Sequence, residues 1–190
     1  MAYPAKIMSA WVTDVPNMNT RSTPLAFRFL TAMQGALGVG SNLSGPRRQV
    51  LAALARLAQL PRSRVVSTSR LYASRPFGPV AQPDFVNAAA GILTQLGSAA
   101  LLDELRAIET MMGRPAQRVR WGARVIDLDL LCYARERRAD ATLTLPHPGI
   151  VERNFVLYPL ADIAPDLDLP GLGRVAELAA SVSSEGLTPL

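Results

Sequence analysis

Two aspartates one residue apart, Asp127 and Asp129, interrupt the apolar run VIDLDLL at 125–131. Burying an unpaired carboxylate is expensive, so a strand-forming run normally excludes it. Successive side chains of a strand point to opposite faces, so the pair shares one face with Cα atoms about 7 Å apart. Ile126, Leu128 and Leu130 take the other face and pack on helices, leaving the carboxylates on the uncovered side of the sheet. Two converging carboxylates form a candidate site for Mg²⁺, which prefers oxygen ligands and completes its shell with water or phosphate oxygens. The alternative is a solvated pair bridged to Arg120 or Arg124.

The surroundings favour an anion beside that metal. Arg114, Arg118, Arg120 and Arg124 crowd the segment before the aspartates. Cations and carboxylates so close together suit phosphoryl transfer, where arginine forks neutralise charge as it moves. His147, the only histidine, sits in the stiff LPHP segment with Arg153 six residues on, and is a candidate phosphate donor or a structural histidine. GVGSN (38–42) lacks the spacing of a phosphate-binding P-loop, so its glycines read as a tight strand end.

These groups need a scaffold, and the periodicities supply one. ALGV (36–39) reads as a buried strand. SGPRRQVLAALARLAQL (44–60) reads as a helix capped by Ser44 with Pro46 in its first turn. RVVSTSRLYAS (64–74) alternates as a strand, and 74–85, dense in Pro and Gly, is a loop that closes over a ligand or simply connects. A strand over 85–96, a helix over 98–112 stopped by Gly113 and a strand over 123–134 complete a βαββαβ order. That order predicts an α+β, ferredoxin-like core. The C-terminal additions read as a short strand and irregular segments. Residues 1–34, without clear period, are expected to be a mobile N-terminal extension; residues 35–190 form the domain.

Composition narrows the setting. The 190 residues are 49% hydrophobic, enough for one core, and carry a formal net charge of +5 with pI ≈ 10.1. Lys6 is the only lysine, so the charge is arginine, whose planar fork suits phosphate. A single Cys132 fits a reducing compartment, here the cytoplasm. No apolar stretch approaches the roughly 20 residues of a membrane helix. A basic nucleic-acid-binding module on the same fold would need an aromatic RNA-binding strand motif that is absent.

Four blocks, GVGSNL, RPFGP…QPDFVNAA, GR…RWGARVIDLDLL and LPHP…ERNFVLYPL, stand in this order over residues 36 to about 170. They resemble the 6-hydroxymethyl-7,8-dihydropterin pyrophosphokinase family of folate biosynthesis. The resemblance implies transfer of pyrophosphate from ATP to the pterin's hydroxymethyl oxygen, with AMP leaving. It implies two Mg²⁺ ions on Asp127 and Asp129, and Arg114 and Arg124 as catalytic arginines on the phosphates. Arg120 and Trp121 would help seal the site, Trp121 from the pterin side as well. Glu109, His147 and Arg153 would lie at the nucleotide. Asn87 would read the pterin edge, Phe155 and Phe85 would sandwich the ring, and Ser74 and Phe77 would cover it through backbone contacts. Core packing is the alternative for both Phe155 and Phe85. Ala116, Gln117 and Pro148 depart from the family pattern. Small-molecule partners, no nucleic acid, no membrane and a monomer are expected. A paralogue acting on a related reduced pterin is the other reading.

Overall fold

The structure, a computed structural model, describes residues 33–115 and 122–190. Expectations for the extension before residue 33 and for Ala116, Gln117, Arg118, Arg120 and Trp121 lie outside the described residues. The first elements are β1 (Gly35–Ser41), α1 (Pro46–Leu57), β2 (Ser63–Thr68), β3 (Tyr72–Ser74) and β4 (Phe85–Thr94). α2 (Ser98–Met111) and β5 (Asp127–Tyr133) close the βαββαβ core. The main sheet runs β10-β3-β4-β1-β5, with β10 (Leu187–Pro189) contributed by the C-terminus and β2 pairing with β4. Every pairing in it is antiparallel.

Alternation builds the two layers. Leu37 and Val39 of β1, Ala88 and Ala90 of β4, and Leu128 and Leu130 of β5 face one side. There they meet Val50, Ala53 and Leu57 of α1 and Leu101, Leu105 and Ile108 of α2, each helical set spaced for one stripe. The opposite face is covered over part of its length by α3 (Asn154–Ile163) and α4 (Val175–Ser181), whose Leu157, Leu160 and Val175 pack on Ala36, Ala89 and Leu131. Cys132 is buried in this second cluster, and burial pushes its thiol up to about 11.

Several expectations need correction. The strand expected over 64–74 is two strands: β2 pairs with the far half of β4 and β3 with its beginning. Between them the Ser69 hydroxyl accepts the Ala89 N–H (2.8 Å), and Arg70 turns outward to an ion pair with Asp162 of α3 at 2.9 Å. Ser44 does not cap α1; the cap position is Gly45, at φ 76°, where a side chain would be strained. The tail holds helices α3 and α4 as well as short strands: β6 (Arg138–Ala139) pairs with β7 (Thr144–Leu145), and β8 (Asp168–Leu169) with β9 (Gly173–Arg174). Gln34, assigned to the extension, donates its backbone N–H to Ile92 O at 2.8 Å, and its side-chain oxygen accepts from Thr94 N–H. Among the described residues no helix is long and apolar enough to cross a membrane.

Candidate active site

The site lies where the cover of the second face ends. In the register of β1 and β5, Gly38 pairs with Asp129 and Gly40 with Asp127; across β4, Gly38 pairs with Ala89 and Gly40 with Asn87. Directly opposed residues project to the same side. Asp127, Asp129 and Asn87 therefore flank a strip whose centre is bare backbone. GVG lies near the end of β1, as expected, and keeps the strand's alternation, with Val39 in the core and two glycines under the trough. A Cβ on Gly40 would stand 3.1 Å from Asn87 Oδ1, and one on Gly38 would stand 3.3 Å from Leu131 Cδ2. Glycine within a strand marks a place where another group approaches the backbone closely.

Around that strip the structure gathers the residues expected at the pterin end. Ser74, Phe77, Phe85, Asn87 and Phe155 line one cavity together with Arg124, Asp127, Asp129 and Arg153. Asn87, 6% exposed, donates from Nδ2 to Ser74 Oγ at 2.9 Å, which fixes the orientation of its amide. The close aromatic pair is Phe77 with Phe155, ring centroids 6.2 Å apart at 57°. Phe77 thus brings its side chain to the cavity, which Phe85 also lines. The Arg153 guanidinium lies 5.8 Å from the Phe77 ring centre and 6.0 Å from that of Phe155. Its Nε is buried without a hydrogen-bond partner among the described residues, and the missing side chain of Gly149 makes room for the guanidinium.

A second cavity shares Asp129 with the first and is lined by Glu109, Arg114, Thr142, Thr144 and His147. Glu109 ends the apolar stripe of α2 and is 3% exposed. A carboxylate so buried needs partners. It accepts the Leu128 N–H at 2.8 Å, on the edge strand β5, and ion-pairs with Arg114. Arg114 Nη1 also reaches Asp127 Oδ1 at 2.6 Å, while Arg124 binds the other oxygen, Oδ2. Burial, and next the charge of Asp127, push the Asp129 carboxyl up to about 7. The backbone N–H of Gly149 donates to His147 Nδ1 at 3.1 Å, so the neutral ring carries its proton on Nε2. Burial, and then the nearby Arg153 charge, hold this histidine below its ordinary value.

Sequence reasoning missed Asn42. Its Nδ2 donates to Gln82 Oε1 at 3.0 Å and to Pro83 O at 3.1 Å, and its Oδ1 accepts the Arg124 N–H at 2.7 Å. One buried amide thus joins the 75–84 loop to the backbone that presents Arg124. Gln82 and Arg75, which line the first cavity from that loop, were not anticipated either. The polar residues clustered beside GVGSN were the available signal.

Residues 36–165 match the family model of 7,8-dihydro-6-hydroxymethylpterin-pyrophosphokinase. The chain is 46% identical over 154 residues to the 2-amino-4-hydroxy-6-hydroxymethyldihydropteridine pyrophosphokinase of Pseudomonas aeruginosa, a match covering 81% of this chain and 94% of that one. This chain belongs to that pyrophosphokinase family. The enzyme of the same name from Haemophilus influenzae is 44% identical over 154 residues, 81% of this chain and 96% of that one. Among solved structures, a Plasmodium falciparum HPPK-DHPS chain with pterin and p-hydroxybenzoate superposes with TM-score 0.65 at 14% identity. That superposition covers 83% of this chain but only 45% of the Plasmodium chain, and shows the shared α+β, ferredoxin-like fold.

Proposed function

We propose that this chain, as a cytoplasmic monomer, transfers the pyrophosphoryl group of ATP to 6-hydroxymethyl-7,8-dihydropterin, releasing AMP, in folate biosynthesis. The observation that carries the reading is that Asp129 lines both cavities. One side offers an oriented amide and aromatic faces, which suit a flat heterocycle with a donor–acceptor edge. The other offers arginines and a histidine N–H, which suit a polyphosphate.

The hydroxymethyl oxygen attacks the β-phosphorus and gives up its proton to solvent, the bond from the β-phosphorus to the α–β bridging oxygen breaks, and AMP departs with that oxygen. Such a reaction asks the protein chiefly to position and to neutralise. Asn87 at the edge, with Phe85 and Phe155 on the faces and Phe77 covering, place the pterin so that its hydroxymethyl group points toward Asp129. Arg114 and Arg124, already gathered at Asp127, stand ready for phosphate oxygens, and His147 donates from Nε2. Arg120 and Trp121 belong to the same proposal as the groups that seal the site. Asp127 and Asp129 would hold the two Mg²⁺ ions, because they offer only hard carboxylate oxygens and leave most of the shell to water and phosphate. Bound there, magnesium supplies positive charge shared with the triphosphate.

The test is direct. The protein is mixed with ATP, Mg²⁺ and 6-hydroxymethyl-7,8-dihydropterin, and the nucleotide products are resolved by chromatography. AMP that appears only with the pterin supports the proposal; ADP, or pterin-independent hydrolysis, overturns it.

A further inference from the structure

The last residues of the chain are built into both walls of the pterin cavity. β10 pairs with β3 in the register Leu187↔Ser74, Thr188↔Ala73 and Pro189↔Tyr72. Ser74 is the residue whose hydroxyl orients Asn87. Immediately before β10, Gly186 O accepts the backbone N–H of Arg75 at 3.1 Å, where the loop carrying Phe77 begins. The preceding turn is closed by its own bonds: Leu187 N–H donates to Ser184 O and Glu185 N–H to Ser183 Oγ, both at 3.1 Å.

The same turn is fastened to the opposite wall. Asn154, the first residue of α3, donates from Nδ2 to Ser183 O at 2.8 Å and to Glu185 O at 3.1 Å. Its sequence neighbours are Arg153 and Phe155, which line the cavity. Ser183, Glu185 and Gly186 of the turn line one hollow together with Phe77 and Phe155.

We propose that residues 183–187 form a strap that sets the spacing between the Phe77 and Phe155 walls, with Asn154 as the positioning residue that holds it. This rests on the reading of the first cavity as the pterin slot. Among the described residues the strap's hydrogen bonds run to Asn154, β3 and Arg75, so its loss should fall first on the pterin slot.

Two variants separate this role from a merely structural one. Asn154→Asp keeps the shape and places a negative charge in the first turn of a helix, which favours the helix. It removes both N–H donors and turns an oxygen toward two carbonyls. Asn154→Ala removes the donors without adding charge. For both, the pterin KM should rise about tenfold, with ATP KM and kcat little changed, as expected when hydrogen bonds that preorganise one subsite are lost. Melting temperature is recorded alongside, and Asn87→Ala is run as the control for the slot. A wild-type pterin KM in Asn154→Asp overturns the strap, as does a parallel loss for both substrates that tracks a fall in melting temperature. If Asn87→Ala also leaves the pterin KM unmoved, the slot itself is misassigned, a result distinct from failure of the strap alone.

Discussion

Arg114 Nη1 lies 2.6 Å from Asp127 Oδ1, and the same guanidinium is ion-paired with the buried Glu109. The arginine expected on the phosphates therefore rests on the carboxylate expected to hold metal. The two roles compete for one oxygen. A divalent cation held at Asp127 would displace Arg114 toward the anion that accompanies it. Arg114→Ala should lower kcat about a hundredfold, the usual scale for a positioned cation at transferring phosphate. The same change should tighten Mg²⁺ binding to the nucleotide-free protein, read by calorimetry. Unchanged or weaker Mg²⁺ binding would show that no such competition exists.

Asp129 gives a pH signature. Its folded-state pKa, raised from 3.8 to about 7, means that the native protein holds a proton that the unfolded chain releases. The stabilising contribution is full below the ordinary value and is lost as pH rises through the raised one. Asp129→Asn should therefore melt higher than wild type at about pH 8, with the gap narrowing toward about pH 5. Its turnover should be abolished at every pH. A melting gap that does not vary with pH would refute the burial argument.

Asn87 is oriented by Ser74 and faces the trough, so its loss should be selective. Asn87→Ala should weaken pterin binding tenfold or more while ATP binding stays near wild type, on the scale of about 1–3 kcal/mol for a polar group left unpaired. Calorimetry with each ligand distinguishes this from general damage. Equal losses for both ligands would count against it.

The bare strip predicts a steric effect far milder in stability than in binding. Gly40→Ala would place a methyl 3.1 Å from Asn87 Oδ1, so the amide must shift by a few tenths of an ångström. Pterin KM should rise severalfold while the melting temperature moves little. A variant with wild-type KM would show that the strip does not lie under the ring.

Much of this was legible because it depends on parity and periodicity. The two-residue spacing of Asp127 and Asp129 placed both on one face, and the apolar stripes of 50–57 and 101–108 placed α1 and α2 on the other. The α3 helix was missed although Leu157 and Leu160 keep a helical interval. Pro159 inside the segment, with Phe155, Val156 and Tyr158 around it, argued against a helix on propensity, and tertiary packing overrode that. That β1 ends just after GVG was legible, but the bare strip its two glycines make beside Asn87, Asp127 and Asp129 appears only once the register with β4 and β5 is known. The Phe77–Phe155 contact and the Asn42 bridge span many residues of sequence and depend on how the loops fold back, which no local pattern carries.

Cys132, the only sulfhydryl of the chain, is walled in between the sheet and its second cover and held protonated by burial. Thiol-directed dyes should therefore find nothing to modify in the native molecule. An engineered cysteine at the exposed Val80, in the 75–84 loop, would be the point of attachment, and movement of that loop would become readable as fluorescence without first removing a native residue.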